Sequence, residues 1–107
     1  MINLNRLSLS NNQLTSIPND IGQLINLNKL RLDNNQLTSI PSSIGQLINL
    51  TELNLTNNQL NSFPNEIRLL INLKFFYLDY NPLLKILPSK KMFEFKVLFI
   101  KNRIFNR

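Results

Sequence analysis

Apolar and polar positions alternate in short bursts along this chain, and the bursts recur on a fixed beat. In Leu30-Arg31-Leu32-Asp33 each aliphatic residue is followed by a charged one, the period of a strand with one buried face. Equivalent bursts start at Leu7, Leu53 and Phe76. Between them the apolar residues spread out, as at Leu37, Ile40, Ile44 and Leu47, and the spacing is interrupted by Pro41. The whole unit is written three times at an interval of 23 residues: NLNRLSLSNNQLTSIPNDIGQLI, NLNKLRLDNNQLTSIPSSIGQLI and NLTELNLTNNQLNSFPNEIRLLI. A fixed period in this range predicts stacked units, each sealed by its neighbours.

The pattern also predicts how a unit is folded. Each strand is followed by a return path, so successive strands stack in parallel and build a curved sheet. Seven aliphatic positions per copy point inward, in the second copy Leu27, Leu30, Leu32, Leu37, Ile40, Ile44 and Leu47. Asn12, Asn35, Asn58 and Asn81 close the strand segments, where an amide can both donate to and accept from backbone groups left unpaired by the turn. Pro18, Pro41 and Pro64 fix φ and hold the preceding residue extended, marking the start of an irregular or briefly helical return.

The motif L-x-x-L-x-L-x-x-N-x-L-x-x-I/F-P-x-x-I-x-x-L starts at Leu4, Leu27, Leu50 and Leu73. It resembles the leucine-rich repeat in its 23-residue form, similar to the repeats of intracellular Ras-group proteins and of bacterial leucine-rich-repeat proteins. The resemblance is specific over residues 1 to about 88 and degraded over roughly 93 to 107. It implies an α/β repeat solenoid, a right-handed superhelix with its parallel sheet on the concave face. It further implies an asparagine ladder, the usual activity of binding another protein, and no catalytic residues to carry over. One domain over 1–107 is expected, with repeats at about 4–26, 27–49, 50–72 and 73–94 and a degenerate repeat or cap at 95–107.

Three columns of side chains are expected on the open side of the sheet: Arg6, Lys29, Glu52, Phe75; then Ser8, Arg31, Asn54, Tyr77; then Ser10, Asp33, Thr56, Asp79. The first two copies differ at five positions, three of them in these columns and two, Asn19/Ser42 and Asp20/Ser43, on the return. Diversification for binding and free drift of exposed positions both predict this pattern. From Leu73 onward the exposed positions turn apolar at Phe75, Tyr77 and Tyr80. A fifth copy aligned at a spacing of 22 sets Leu98 and Ile100 on the core and Val97 and Phe99 in the columns, with Phe95 and Phe105 at the outer leucine positions and Arg103 at the asparagine position. If that strand forms, Phe75, Tyr77, Tyr80, Val97 and Phe99 make one apolar patch of the kind that marks an interface; the alternative is a tail folded over the aromatics as a cap. Pro82 and an extra residue in the following segment are expected to disturb the fourth return.

Charge divides the chain in the same place. Residues 1–84 hold five basic and five acidic residues, and residues 85–107 hold seven basic and one acidic, which accounts for the net charge of +6. A solvated terminal cap explains the basic tail, as would an acidic protein partner, an anionic membrane surface or nucleic acid. Cysteine and histidine are absent, which removes disulfides, Cys/His nucleophile pairs and the usual zinc ligands. No cofactor or metal is expected. Asp33 and Asp79 share a column without a base or a phosphate loop beside them, so they read as surface charges rather than catalytic groups.

No apolar run approaches the roughly 18 residues of a membrane span, and Met1 leads straight into repeat sequence. A cytoplasmic location is expected, with a secreted effector lacking a classical signal peptide as the alternative. Asn49 and Asn54 begin N-x-T sequons that matter only in a eukaryotic secretory pathway. The leading expectation for function is a protein-binding module whose partner meets Lys29, Arg31, Asp33, Glu52, Asn54, Phe75, Tyr77, Asp79, Tyr80 and Phe99. The alternative is a structural fragment that self-associates through uncapped ends, since MINLNRL repeats LINLNKL and the chain begins within a repeat.

Overall fold

The computed structural model describes residues 3–86 and the strand Phe105–Asn106. Five short strands form one sheet in chain order, all parallel: β1 (Arg6–Ser8), β2 (Lys29–Arg31), β3 (Glu52–Asn54), β4 (Phe75–Tyr77) and β5 (Phe105–Asn106). The first four begin one residue before the leucine or phenylalanine that the alternation picks out. The backbone explains the offset: Asn5 O accepts from both Asn28 N–H (2.7 Å) and Lys29 N–H (3.2 Å), so pairing starts ahead of the first inward residue.

Three 3-10 helices form the returns: η1 (Asn19–Gln23), η2 (Ser42–Gln46) and η3 (Asn65–Leu69). Pro18, Pro41 and Pro64 precede them in extended conformation, with φ of −69°, −68° and −69°. Proline fits here because its fixed φ suits the approach and the position requires no N–H. Each helix closes by a bond from the following leucine, as from Leu24 N–H to Ile21 O at 3.1 Å.

The core is the stack of inward positions. All seven expected in the second copy are buried: Leu27, Leu30, Leu32, Leu37 and Leu47 are fully sealed, and Ile40 and Ile44 are nearly so. Phe63 and Phe76 replace an isoleucine and a leucine of earlier copies and pack against each other, ring centroids 5.7 Å apart. In the first copy Leu7, Leu9 and Leu14 are only partly buried and Leu4 is 37% exposed, because β1 has a neighbouring strand on one side only.

The fourth return departs from the others. Pro82 stands where Gln36 and Gln59 donate their backbone N–H to Leu14 O and Leu37 O, and proline has no such donor. Leu83 N–H bonds Leu60 O instead, at 2.9 Å, and an α-helix, α1 (Leu83–Ile86), starts immediately. Proline is tolerated at that start because the first N–H groups of a helix have no internal partner.

The expected fifth strand is also corrected. The segment beside β4 is Phe105–Asn106, with Phe105 opposite Phe76 and Asn106 opposite Tyr77, where a spacing of 22 would set Leu98 and Phe99. Phe95, Val97, Leu98, Phe99, Ile100 and Arg103 lie outside the described residues.

Candidate functional site

Side chains alternate across a strand, so burying Leu30, Leu53 and Phe76 turns their neighbours to the open face. The register sets Arg6, Lys29, Glu52 and Phe75 in one row and Ser8, Arg31, Asn54 and Tyr77 in the next, as the sequence predicts. Phe75 is 46% exposed and Tyr77 is half-buried beside it, giving this end of the face its apolar character. Ser10, Asp33, Thr56 and Asp79 follow just past the strands, all partly buried.

Several of the charges answer one another. Arg31 Nε donates to Glu52 Oε2 at 2.8 Å, joining two rows. That hydrogen bond first, and the carboxylate's charge second, push the Arg31 guanidinium up from its ordinary value, so it stays a cation. Asp33 accepts from Ser10 Oγ (2.6 Å) on Oδ1 and from Asn34 Nδ2 (3.1 Å) on Oδ2. Asn54 Oδ1 accepts from Thr56 N–H at 3.1 Å. Among the described residues, Lys29 and Asp79 keep their charged groups free of any such partner.

The four closing asparagines form the expected ladder. Asn58 is typical: Nδ2 donates to Leu32 O and Leu55 O, both at 3.0 Å, while Oδ1 accepts from Leu37 N–H at 3.0 Å. Asn35 and Asn81 repeat the pattern, with Oδ1 serving Leu14 N–H and Leu60 N–H. Asn12 donates to Leu9 O and Ser10 O but is exposed and accepts nothing. Asn35, Asn58 and Asn81 therefore each tie two consecutive copies together, whereas the described bonds of Asn12 stay within the first copy.

Tyr80 does not stand on the sheet face. It occupies a turn position held by Asn11, Asn34 and Asn57 in the other copies, and all four residues have positive φ (61°, 58°, 57° and 61°). Asparagine tolerates this left-handed region, whereas a bulky ring there is an outlier. The sequence carried the signal in its doubled asparagines, of which only the second was given a role above. Two further features are visible only with the fold in hand. Asn26, Asn49 and Asn72 make an outer ladder, the last two donating to Ile25 O (3.2 Å) and Ile48 O (2.7 Å). Ile25, Ile48 and Ile71 are 56%, 54% and 69% exposed, an aliphatic row that the repeat pattern alone would place near the core.

Comparison with known proteins agrees with this geometry. A family model described as leucine rich repeat matches residues 25–83, more than half of the chain, and a second, for two copies of the repeat, matches residues 2–45. The chain belongs to the leucine-rich-repeat family. Among solved structures, this leucine-rich-repeat chain is similar to a leucine-rich-repeat protein of Leptospira interrogans, with 42% identity and a TM-score of 0.84 over 96% of its length. It spans 25% of that structure's chain. No curated protein matches it. Leucine-rich-repeat domains generally mediate protein–protein interaction. Among the described residues, no group of three or more carboxylates could hold a metal ion, and no helix is long and apolar enough to cross a membrane.

Proposed function

We propose that this chain binds another protein, or an extended segment of one, through the open face of its sheet and performs no catalysis itself. The observation that carries this reading is the placement of Phe75 and Tyr77 side by side on that face, next to Glu52 and Asn54 in register. Exposed aromatics of this kind are the usual anchors of interfaces. Lys29, Arg31 and Glu52 select by charge around the anchor. Five strands about 4.8 Å apart span roughly 20 Å, less than a standard interface of about 800 Å² per partner needs in both dimensions. A peptide, or a partner that also engages the rims, suits that size.

The test begins with a partner captured on the immobilised chain and identified by mass spectrometry. That partner is then titrated against the wild type, a Phe75→Ala/Tyr77→Ala double variant, and Asp20→Ala on the opposite side. The reading expects at least about tenfold weaker binding for the double variant alone. Equal affinity for all three would sink it.

A second reading rests on the partial exposure of Leu4, Leu7, Leu9 and Leu14, whose counterparts in the second copy are sealed. On this reading the β1 edge pairs with a further chain. Molar mass by light scattering across a dilution series decides it, and a monomer at every concentration excludes it.

A further inference from the structure

The turn after β4 differs from its counterparts in two linked ways. In the second copy Asn34 caps the carboxylate of Asp33, and Ser10 holds its other oxygen. In the fourth copy tyrosine replaces that asparagine, so the equivalent carboxylate, Asp79, loses its cap and makes no hydrogen bond or ion pair with the described residues. The substituting ring gains no hydrogen bond or ring contact in return among the described residues. Tyr80 is 80% exposed, and the one ring contact among the described residues joins Phe63 and Phe76. Its backbone meanwhile sits at φ 61°, where a bulky side chain is disfavoured. A residue at a disfavoured φ with its ring this exposed is the kind of outlier that clusters at functional sites.

Asp79 and Tyr80 line the same open groove of about 600 Å³, together with Asn57, Gln59, Leu84 and Lys85. An unpaired carboxylate beside an exposed phenol ring is complementary to a planar cation, which can stack on the ring and bond the carboxylate along its edge. Guanidinium fits both demands better than ammonium, being planar, more weakly hydrated and forked. We infer that this groove receives an arginine side chain of a partner polypeptide, stacked on Tyr80 and paired with Asp79. The inference rests on the reading of the chain as a protein-binding module and adds a second contact at the edge of the face. Lys85 also lines the groove and opposes a cation there, so it limits the affinity.

The experiment pans short random linear peptides displayed on phage against the full-length chain, with the Tyr80→Asn chain as counter-selection. The peptides that the counter-selection removes are expected to carry arginine at one fixed position. A synthetic peptide from that set should bind at least about tenfold more weakly to Tyr80→Asn and to Asp79→Asn, and lose as much when its arginine is replaced by citrulline. Lys85→Ala should leave its affinity unchanged or raise it. Because asparagine suits the turn, Tyr80→Asn should fold with an equal or higher thermal midpoint. The inference is overturned if no peptide distinguishes the two chains, if the distinguishing peptides lack arginine, or if Tyr80→Asn lowers the midpoint. Peptides that respond to Tyr77→Ala but not to Tyr80→Asn would remove the arginine site and leave the open-face reading standing; the converse response would do the reverse.

Discussion

Removal of Asn58 tests the ladder most directly. In Asn58→Ala the Leu37 N–H loses its acceptor, and it is buried with no other. Leaving such a donor unsatisfied costs about 1–3 kcal/mol. The carbonyls that Asn58 serves fare better. Leu32 O keeps Asn35 Nδ2 at 3.0 Å and Leu55 O keeps Asn81 Nδ2 at 2.8 Å, so those lost bonds fall at the low end of about 0.5–1.5 kcal/mol each. Together the loss is about 3 kcal/mol, a large share of the roughly 5–15 kcal/mol that holds a domain of this size folded. Asn12→Ala makes the comparison sharp. That side chain is exposed, accepts nothing, and donates to Leu9 O, which Asn35 also serves at 3.0 Å. Its loss should cost under about 1 kcal/mol. Urea denaturation followed by circular dichroism, with equal slopes in the variants, would measure both. The reasoning fails if the two variants lose the same stability, or if Asn58→Ala loses less than about 1 kcal/mol.

Other expectations follow from the same contacts. A Cβ on Gly45 would lie 2.9 Å from both Cβ and O of Glu66, so Gly45→Ala should cost about 1–3 kcal/mol in the same denaturation assay. Arg68 holds the equivalent position in η3 and is exposed, so Arg68→Ala should fall within about 0.5 kcal/mol of the wild type. Leu50→Ala empties a fully sealed core site and should cost about 2–5 kcal/mol, far more than Leu4→Ala at its partly exposed counterpart. Glu52→Gln breaks a pair whose Arg31 side is 50% exposed; its effect on stability should stay under about 1 kcal/mol and shrink further in high salt, whatever it does to partner binding.

The repeat made much of this fold legible before any coordinate. Positions tied to a neighbour 23 residues away could be read because the same demand is stated in every copy: the core leucines, the closing asparagines and the prolines. The rows on the open face followed from the same period. What the sequence obscured lies where copies stop agreeing. Phe105 was expected at an outer core position because the alignment carried the period past Pro82 and α1, whereas the segment paired with β4 is Phe105–Asn106. Tyr80 was counted with the exposed aromatics, yet its backbone conformation is set by the asparagines it replaces, and only φ shows that. The pairing of Arg31 with Glu52, and the capping of Asp33, depend on rotamers that no spacing reports.

The glycines show how closely one return packs on the next. Gly22 and Gly45 are required because the next return packs against them: an added Cβ would meet Ser43 O at 2.8 Å and Glu66 O at 2.9 Å. Arg68 holds the equivalent position in the third copy and is exposed, so no described element packs over it as closely as η2 and η3 pack over the glycines. Exposed positions can be sorted by the same logic. Asn34 and Asn57 are kept by positive φ, and Asn49 and Asn72 by bonds to the preceding copy. Neither constraint applies to Lys29, Arg31, Glu52, Asn54, Phe75 and Tyr77, whose identities change from copy to copy while their backbone does not. Tyr80 stands apart even from these, because its identity runs against its backbone. A residue that the scaffold leaves free can have drifted there, whereas one that the scaffold opposes needs a reason outside the fold.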